Sequence, residues 1–285
     1  MTRARCKLIF SVACFGVLSI FVKGIALRAA EIALYRAVIG GAVLLVYLIA
    51  TSRLSRLRMR RGALAMMLLS GAAIGFNWIF LFTAYRYTTV ALATLAYYFS
   101  PTLVVVFSFL LFRESLRLRQ ILCFLGSTAG LVLIVGLRGG GGSDLTGLLF
   151  GLLAALFYTI VVLCNKKAGD ADGVSRTWVQ LAVATAVLLP YVALSGGFHL
   201  GTLDLKGWIN LLILGAGFSG VVYALYFSAI SVLPGQEAAI LSYLDPAVAV
   251  LVSVFYLREP ITAVQLLGGA MILAFAMCNE LGRQK

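Results

Sequence analysis

The sequence predicts an all-α integral membrane protein, with ten transmembrane helices arranged as two inverted five-helix repeats. Three observations lead to this fold class. The chain is too apolar for a water-soluble domain, since 62% of its 285 residues are hydrophobic, 12% are charged and the mean hydropathy is +1.04; soluble domains carry about 25% charged residues. Its apolar residues form ten long runs, and one stretch of the chain occurs twice.

The apolar runs have the length of bilayer-spanning helices, about 20 residues each. Within hydrocarbon a backbone satisfies its hydrogen bonds only as a helix or a closed barrel, and these runs lack the alternation of a barrel. The first run follows basic residues as in a signal peptide, but Ala26-Leu27-Arg28 is a poor cleavage site, so we expect an uncleaved helix. The predicted spans are 8–27, 32–50, 62–84, 88–112, 118–137, 145–164, 177–195, 207–230, 236–257 and 263–281.

The basic residues predict the orientation of the helices. With the amino terminus inside, sixteen Lys and Arg residues fall on cytoplasmic segments and five on outer segments, an excess typical of the cytoplasmic side. Both termini are therefore predicted to be cytoplasmic, and the net charge of +13 needs no nucleic-acid partner. The cytoplasmic set is Arg3, Arg5, Lys7, Arg53, Arg56, Arg58, Arg60, Arg61, Arg113, Arg117, Arg119, Lys166, Lys167, Arg176, Arg283 and Lys285; the outer set is Arg28, Arg86, Arg138, Lys206 and Arg258.

Ten residues of the stretch 82–120 recur 145 positions later without a gap. Tyr98 and Pro101 recur as Tyr243 and Pro246, each within a long apolar run. Two similar helices matching by composition are the alternative, but the ungapped match and the shared hydropathy favour a duplication. Internal duplication in a membrane chain is typical of transporters, whose binding site lies where the halves meet.

An odd number of spans in each half gives the halves opposite orientations. We predict a first repeat at 1–138, a Gly-rich connector at 139–144 and a second repeat at 145–285. The connector lacks the Gly-Lys-Ser/Thr ending of a phosphate-binding loop, so it is interpreted as a flexible joint.

Each copy of the repeated stretch has a proline near mid-membrane. Pro101 and Pro246 are predicted to kink their helices and to free the carbonyls of Tyr97 and Ser242. Freed carbonyls at that depth are tolerated where they face protein or a wet cavity. Two interpretations stay open: a central site shared by the halves, or packing kinks closed by local side-chain hydrogen bonds.

Three charged residues lie more than two residues inside a predicted span. Asp245 is placed near mid-membrane, where a carboxylate is costly, and it would bind a substrate ammonium, carry a coupling proton, or satisfy backbone groups freed near Pro246. Lys23 and Arg36 fall in the outer parts of the first two spans. Snorkelling toward the interface is the favoured interpretation for both, and binding of a substrate carboxylate is the alternative.

Aromatic residues accompany the predicted central site. Their amphipathic rings suit a flat, partly apolar solute, although interfacial belts use the same residue types. The predicted cavity-lining and substrate-binding residues are Lys23, Asn77, Trp78, Tyr97, Tyr98, Tyr158, Tyr223, Ser242, Tyr243 and Asp245.

The sequence offers little support for catalysis. Gly217-Phe218-Ser219-Gly220 matches the Gly-x-Ser-Gly of rhomboid proteases, but the one histidine, His199, lies earlier and in a predicted outer loop. Five scattered cysteines fit neither zinc ligation nor a redox pair. No enzyme activity, metal or cofactor is expected.

The repeated helices carry a family resemblance. The residues concerned are Pro101, Arg113, Glu114 and Gln120 in the first copy and Pro246, Arg258, Glu259, Pro260, Gln265 and Gly268 in the second. They resemble the EamA-type repeat of the drug/metabolite transporter superfamily, and Lys23 and Arg36 fit its start. The resemblance implies two inverted five-helix repeats around a cavity lined mainly by helices 1, 3, 4, 6, 8 and 9.

Within this superfamily the chain is most similar to YddG-type exporters of aromatic and neutral amino acids. Asn165-Lys166-Lys167 fits that group, whereas Tyr98-Phe99 stands where a tryptophan is expected beside the proline. The resemblance implies a multi-pass protein of the bacterial inner membrane, monomeric or homodimeric, that exports amino acids or similar small amphipathic metabolites by alternating access. The alternatives are a proton-coupled multidrug or organic-cation exporter and a membrane scaffold without transport.

Overall fold

The computed structural model describes residues 2–52, 60–112, 118–136, 142–168, 173–230, 233, 238 and 241–282. Within these residues every regular element is helical, as the composition predicts. The α-helices are α1 Thr2–Lys23, α2 Ala29–Ala50, α3 Arg61–Tyr87, α4 Val90–Tyr97, α5 Ser100–Phe112, α6 Leu118–Gly136, α7 Gly142–Ala168, α8 Gly173–Leu194, α9 Leu205–Leu212, α10 Tyr223–Ile230, α11 Leu244–Leu251 and α12 Ala263–Gly282.

The lengths and hydropathies of these helices are those of a membrane protein. Seven helical stretches of the described chain are long and apolar enough to cross a bilayer, and they coincide with predicted spans one to four and six to eight. Three shorter apolar helices lie at predicted spans five, nine and ten, at Leu118–Ile134, Leu244–Tyr256 and Ala263–Cys278. An all-helical membrane protein is therefore confirmed, while the ten-span count and the location of the termini stay predictions.

Half of the predicted connector, 139–141, lies outside the described residues, as does the pair Arg113-Glu114. The last part of the connector, 142–144, belongs to the first turn of α7.

Packing between helices repeats in the two halves of the chain. α2 packs on α8, and α6 packs on α12, so the corresponding helices of the two predicted repeats contact each other. The main packing partner of α3 is α7, just as α10 packs on α1. The largest buried apolar cluster joins α1, α2, α3, α7 and α8. A smaller cluster lies where α4, α6, α7 and α12 meet.

Glycines allow α6 and α12 to approach closely. A Cβ at Gly130 would lie 2.6 Å from the Gly268 carbonyl oxygen, and a Cβ at Gly268 would lie 2.5 Å from the Gly130 carbonyl oxygen. Small residues permit such close contact between membrane helices.

Two π-helical segments, which the sequence does not predict, interrupt the second half. Residues Ile213–Val222 connect α9 to α10, and Val252–Tyr256 follow α11. In a π-helix each carbonyl accepts a hydrogen bond from the backbone N–H five residues later, and such segments are common at functional sites. The first of them carries Ser219, whose hydroxyl donates to the Leu214 carbonyl at 3.3 Å.

Candidate functional site

A central cavity of about 620 Å³ lies between the helices of both halves. Its wall combines aromatic rings with a small number of polar and charged groups, which is the usual composition of a small-molecule site. The aromatic residues of the wall are Phe15, Trp78, Tyr85, Tyr97, Tyr98, Tyr158, Tyr223, Tyr226, Phe227 and Tyr243. The polar residues of the wall are Arg36, Asn77, Thr94, Ser100, Asn165, Arg176, Thr177, Gln180, Ser242 and Asp245.

Two helix interruptions bring polar groups to the middle of this wall. α4 ends at Tyr97, and the chain turns through Tyr98 and Phe99 before α5 begins at Ser100. Pro101 is the second residue of α5, where its missing N–H costs no helical hydrogen bond. In the second half, α11 begins at Leu244.

The second interruption presents a carboxylate to the cavity. Tyr243 precedes α11, and Asp245 and the buried Pro246 belong to its first turn. The side chain of Asp245 accepts a hydrogen bond from the Tyr98 hydroxyl at 2.7 Å. Because Tyr98 and Asp245 come from the two halves, this bond joins the two interruptions across the cavity.

Tyrosine rings form a continuous strip on the cavity wall. Tyr158 lies 5.4 Å from Tyr97 between ring centroids, Tyr97 lies 5.8 Å from Tyr98, and Tyr98 lies 6.3 Å from Tyr243. On another part of the wall, Phe15 contacts the edge of Tyr223 at 5.3 Å. Tyrosine combines an apolar face with a hydroxyl, so this strip suits solutes that are partly apolar.

Arg36 contributes a buried positive charge to the cavity wall. Its side chain on α2 is 3% exposed, and its Nε donates to the Ser219 hydroxyl at 2.6 Å. The guanidinium carbon lies 4.3 Å from the centroid of the Trp78 ring, which is within cation–π range. The favoured sequence-based interpretation, snorkelling of Arg36 toward the interface, is therefore wrong, because α2 is packed on the π segment that carries Ser219.

Ser219 has no histidine beside it. The ring Nδ1 of His199 lies 3.1 Å from a carboxylate oxygen of Glu31, and the His199 backbone N–H donates to the same carboxylate at 2.7 Å. The partners of Ser219 are Arg36 and the Leu214 carbonyl. The serine therefore positions a guanidinium.

Lys23 lies away from the cavity wall, unlike the sequence-based expectation that it lines the cavity. Its ammonium at the end of α1 forms an ion pair with Glu259. The other carboxylate oxygen of Glu259 accepts from the Val90 backbone N–H at 2.7 Å and from the Ser253 hydroxyl at 2.5 Å. Glu259 thus connects the end of α1, the start of α4 and the first turn of the second π segment.

Amide side chains complete the polar part of the wall. The Asn77 amide donates to the Ala154 carbonyl at 2.7 Å, which fixes α3 against α7. The Gln180 amide donates to the Ser70 hydroxyl at 2.6 Å and to the Asn165 side-chain oxygen at 3.0 Å. Ser242 donates to the Ala238 carbonyl four residues earlier at 2.8 Å.

The structure brings most of the predicted site residues to one cavity. Asn77, Trp78, Tyr97, Tyr98, Pro101, Tyr158, Tyr223, Ser242, Tyr243 and Asp245 all line it. Tyr85, Arg176 and Gln180 line the wall as well, although the sequence does not predict them there, and Arg36 is buried in the wall instead of reaching the interface. The small-residue run around Ser219 was the available signal for Arg36, since a helix of small residues allows a long side chain from a neighbour to pack against it. Substrate binding by these residues stays a prediction.

Comparison with known proteins places the chain in a family. The EamA-like transporter family matches residues 3–136 and again residues 145–279. The chain belongs to the EamA-like transporter family. This family is part of the drug/metabolite transporter superfamily, as the sequence resemblance implied.

Relatives agree with this membership, and a solved structure shares the fold. An uncharacterized transporter of Bacillus subtilis, YxxF, is 28% identical over 98% of this chain and 89% of its own length. An uncharacterized transporter of Archaeoglobus fulgidus is 32% identical over 67% of each chain. The threonine/homoserine exporter RhtA of Escherichia coli is 27% identical over 50% of this chain and 48% of its own length. A crystal structure with 20% identity superposes at a TM-score of 0.66 over the whole chain, which shows a shared fold.

Proposed function

We propose that this transporter exports neutral and aromatic amino acids, or similar small amphipathic metabolites, across the bacterial inner membrane. The solute occupies the central cavity, and alternating access opens that cavity to each side in turn. The exporter similarity to RhtA over half the chain supports this substrate class. No cofactor enters the proposal, and the transporter acts as a monomer or a homodimer.

The observation that carries the proposal is the chemistry of the cavity wall. A buried guanidinium, Arg36, and a carboxylate, Asp245, both face a space of about 620 Å³ lined by tyrosines. Ionisable groups inside membrane proteins are costly and mark substrate or ion pathways. A wall with both signs of charge and aromatic faces suits a zwitterion with an apolar side chain.

The proposed architecture has ten transmembrane helices, in two inverted repeats at 1–138 and 145–285, with both termini in the cytoplasm. Three observations support it: the two separate family matches, the repeated packing relations of the two halves, and the excess of basic residues on one set of loops. Rocking of one half against the other about the helix interruptions at Tyr98 and Tyr243 would expose the cavity alternately.

Asp245 favours a second candidate function, a proton-coupled exporter of organic cations. Its carboxylate has one hydrogen bond among the described residues, from Tyr98, and faces an aromatic wall that would also suit a cationic drug. The two candidates differ in the role of Asp245. In the first it binds the solute ammonium, and in the second it exchanges a proton for the drug.

The test is uptake into proteoliposomes of labelled phenylalanine, labelled threonine and a cationic dye, with and without an imposed pH gradient. We expect wild-type protein to carry phenylalanine without a pH gradient, and Asp245→Asn to lower that uptake at least tenfold, because the ammonium loses its counter-ion. Dye uptake that needs both the gradient and Asp245, with no amino-acid uptake, would establish the second candidate instead.

A further inference from the structure

Arg36 is a buried cation whose charge is not neutralised by the described protein. Its guanidinium forms no ion pair with any acidic side chain of the described residues, including Asp245. We propose that Arg36 binds the carboxylate of the transported solute, so that the cavity selects molecules that carry a carboxylate. This inference rests on the proposed function and names the group that confers its substrate class.

The contacts of Arg36 leave the edge of the guanidinium that carries its two terminal nitrogens available for such a ligand. The Nε–H donates to Ser219, and the flat face lies against Trp78. In the described chain these are its polar and ring partners, together with the more distant Phe82 ring at 5.8 Å. The two terminal nitrogens therefore keep their N–H donors for the cavity, and a planar fork of this kind binds a carboxylate through two parallel hydrogen bonds.

The free-energy cost of burying the Arg36 charge also favours an anionic ligand. A buried charge is tolerated when a counter-ion and hydrogen bonds replace its hydration. One serine oxygen and one indole ring replace only part of it, and they hold the guanidinium in place for an incoming anion. A carboxylate that enters the cavity supplies the missing charge and the missing acceptors together.

The position of Asp245 completes the inference. Asp245 contacts Tyr98 from the opposite half and does not pair with Arg36, so the cavity presents two separated charges of opposite sign. An amino acid has its ammonium and carboxylate on one carbon with an apolar group beside them. An amine of the same shape that lacks the carboxylate leaves the guanidinium unpaired and is disfavoured.

The experiment compares two solutes that differ only in that group. Proteoliposomes with wild-type protein, Arg36→Gln or Arg36→Lys are given labelled phenylalanine or labelled phenethylamine, and initial uptake rates are measured. We expect Arg36→Gln to lower phenylalanine uptake at least tenfold and to leave phenethylamine uptake unchanged or raised, because a charge-assisted bidentate contact is lost for one solute only. Arg36→Lys keeps the charge without the planar fork, and it should recover part of the phenylalanine uptake.

Arg176, a second cation on the cavity wall, provides the matched comparison. We expect Arg176→Gln to leave the ratio of phenylalanine to phenethylamine uptake at its wild-type value. Equal loss of both solutes in Arg36→Gln, or a carboxylate-selective loss in Arg176→Gln instead, would overturn the assignment while the proposed function stands. Wild-type protein that carries neither solute would overturn both. Thermal stabilisation of purified Arg36→Gln by each solute, measured in detergent, separates a binding defect from a folding defect.

Discussion

Two acidic residues of the second half, Asp245 and Glu259, have opposite surroundings. Glu259 receives the Lys23 ammonium, the Val90 backbone N–H and the Ser253 hydroxyl. Asp245 receives the Tyr98 hydroxyl and forms no ion pair with the described residues. One carboxylate is therefore neutralised by the protein itself, and in the proposed function the other is left for the solute.

The two basic residues that the sequence places inside the first spans differ in the same way. Lys23 is paired with Glu259, whereas Arg36 has a serine and a tryptophan ring beside it. A charge with a complete set of partners holds helices together, because removing one partner leaves the other uncompensated. A charge with an incomplete set of partners costs the fold some stability, and we propose that it is retained for solute binding. The partners of these charges therefore distinguish structural charges from those proposed to bind the solute. Their positions in the sequence do not make that distinction.

The largest expected effect comes from removing Glu259, the carboxylate whose partners all lie within the protein. Replacing Glu259→Ala leaves the Lys23 ammonium and the Val90 N–H without their acceptor, so we expect the free energy of unfolding to fall by about 3 kcal/mol. Chemical or thermal unfolding of purified protein in detergent measures this loss. Glu259→Gln keeps an acceptor oxygen without the charge, and it should lose about half as much.

Asp245→Asn is the matched control for this prediction. The asparagine oxygen still accepts from Tyr98, so we expect its unfolding free energy to stay within about 1 kcal/mol of wild type. A chain in which Asp245→Asn unfolds more easily than Glu259→Ala would reverse the assignment of the two carboxylates.

A smaller effect is expected from a substitution that moves the Asp245 carboxylate without replacing it. A Cβ at Gly16 of α1 would lie 2.6 Å from the Val248 Cβ and 2.8 Å from the Asp245 carbonyl oxygen. Gly16→Ala must therefore push α11 away from α1, and such overpacking costs about 1–3 kcal/mol. We expect a several-fold loss of phenylalanine uptake along with the lower stability, because Asp245 moves with its helix.

Gly62→Ala is the control for this substitution. A Cβ there meets nothing within 4 Å, and alanine favours the helix by up to about 1 kcal/mol. Its uptake and stability should equal or exceed those of wild type. Normal uptake by Gly16→Ala would show that the position of α11 does not matter to the site.

The sequence predicts much of this molecule because the decisive signals are local. Apolar runs set the helices, and Tyr98, Pro101 and Asp245 mark the interruptions that line the cavity. The pairing of Lys23 with Glu259 joins residues 236 positions apart, and no local pattern specifies such a contact. Arg36 was misplaced for the same reason, because its burial depends on the π segment around Ser219 that packs on α2.

The smallest expected effect comes from the one hydrogen bond that Asp245 has within the described chain. Tyr98→Phe keeps the ring in the tyrosine strip and removes the hydroxyl that donates to Asp245 at 2.7 Å. Water in the cavity replaces part of that bond, so we expect a loss of about 1 kcal/mol, seen as a roughly fivefold rise in KM for phenylalanine uptake. The freed carboxylate is less well positioned for an ammonium, whereas the tyrosine strip that holds the apolar side chain is unchanged. Tyr47→Phe removes a hydroxyl outside the cavity and should leave KM at its wild-type value. A KM for Tyr98→Phe that equals wild type would mean that Asp245 needs no partner from the first half to bind its ligand.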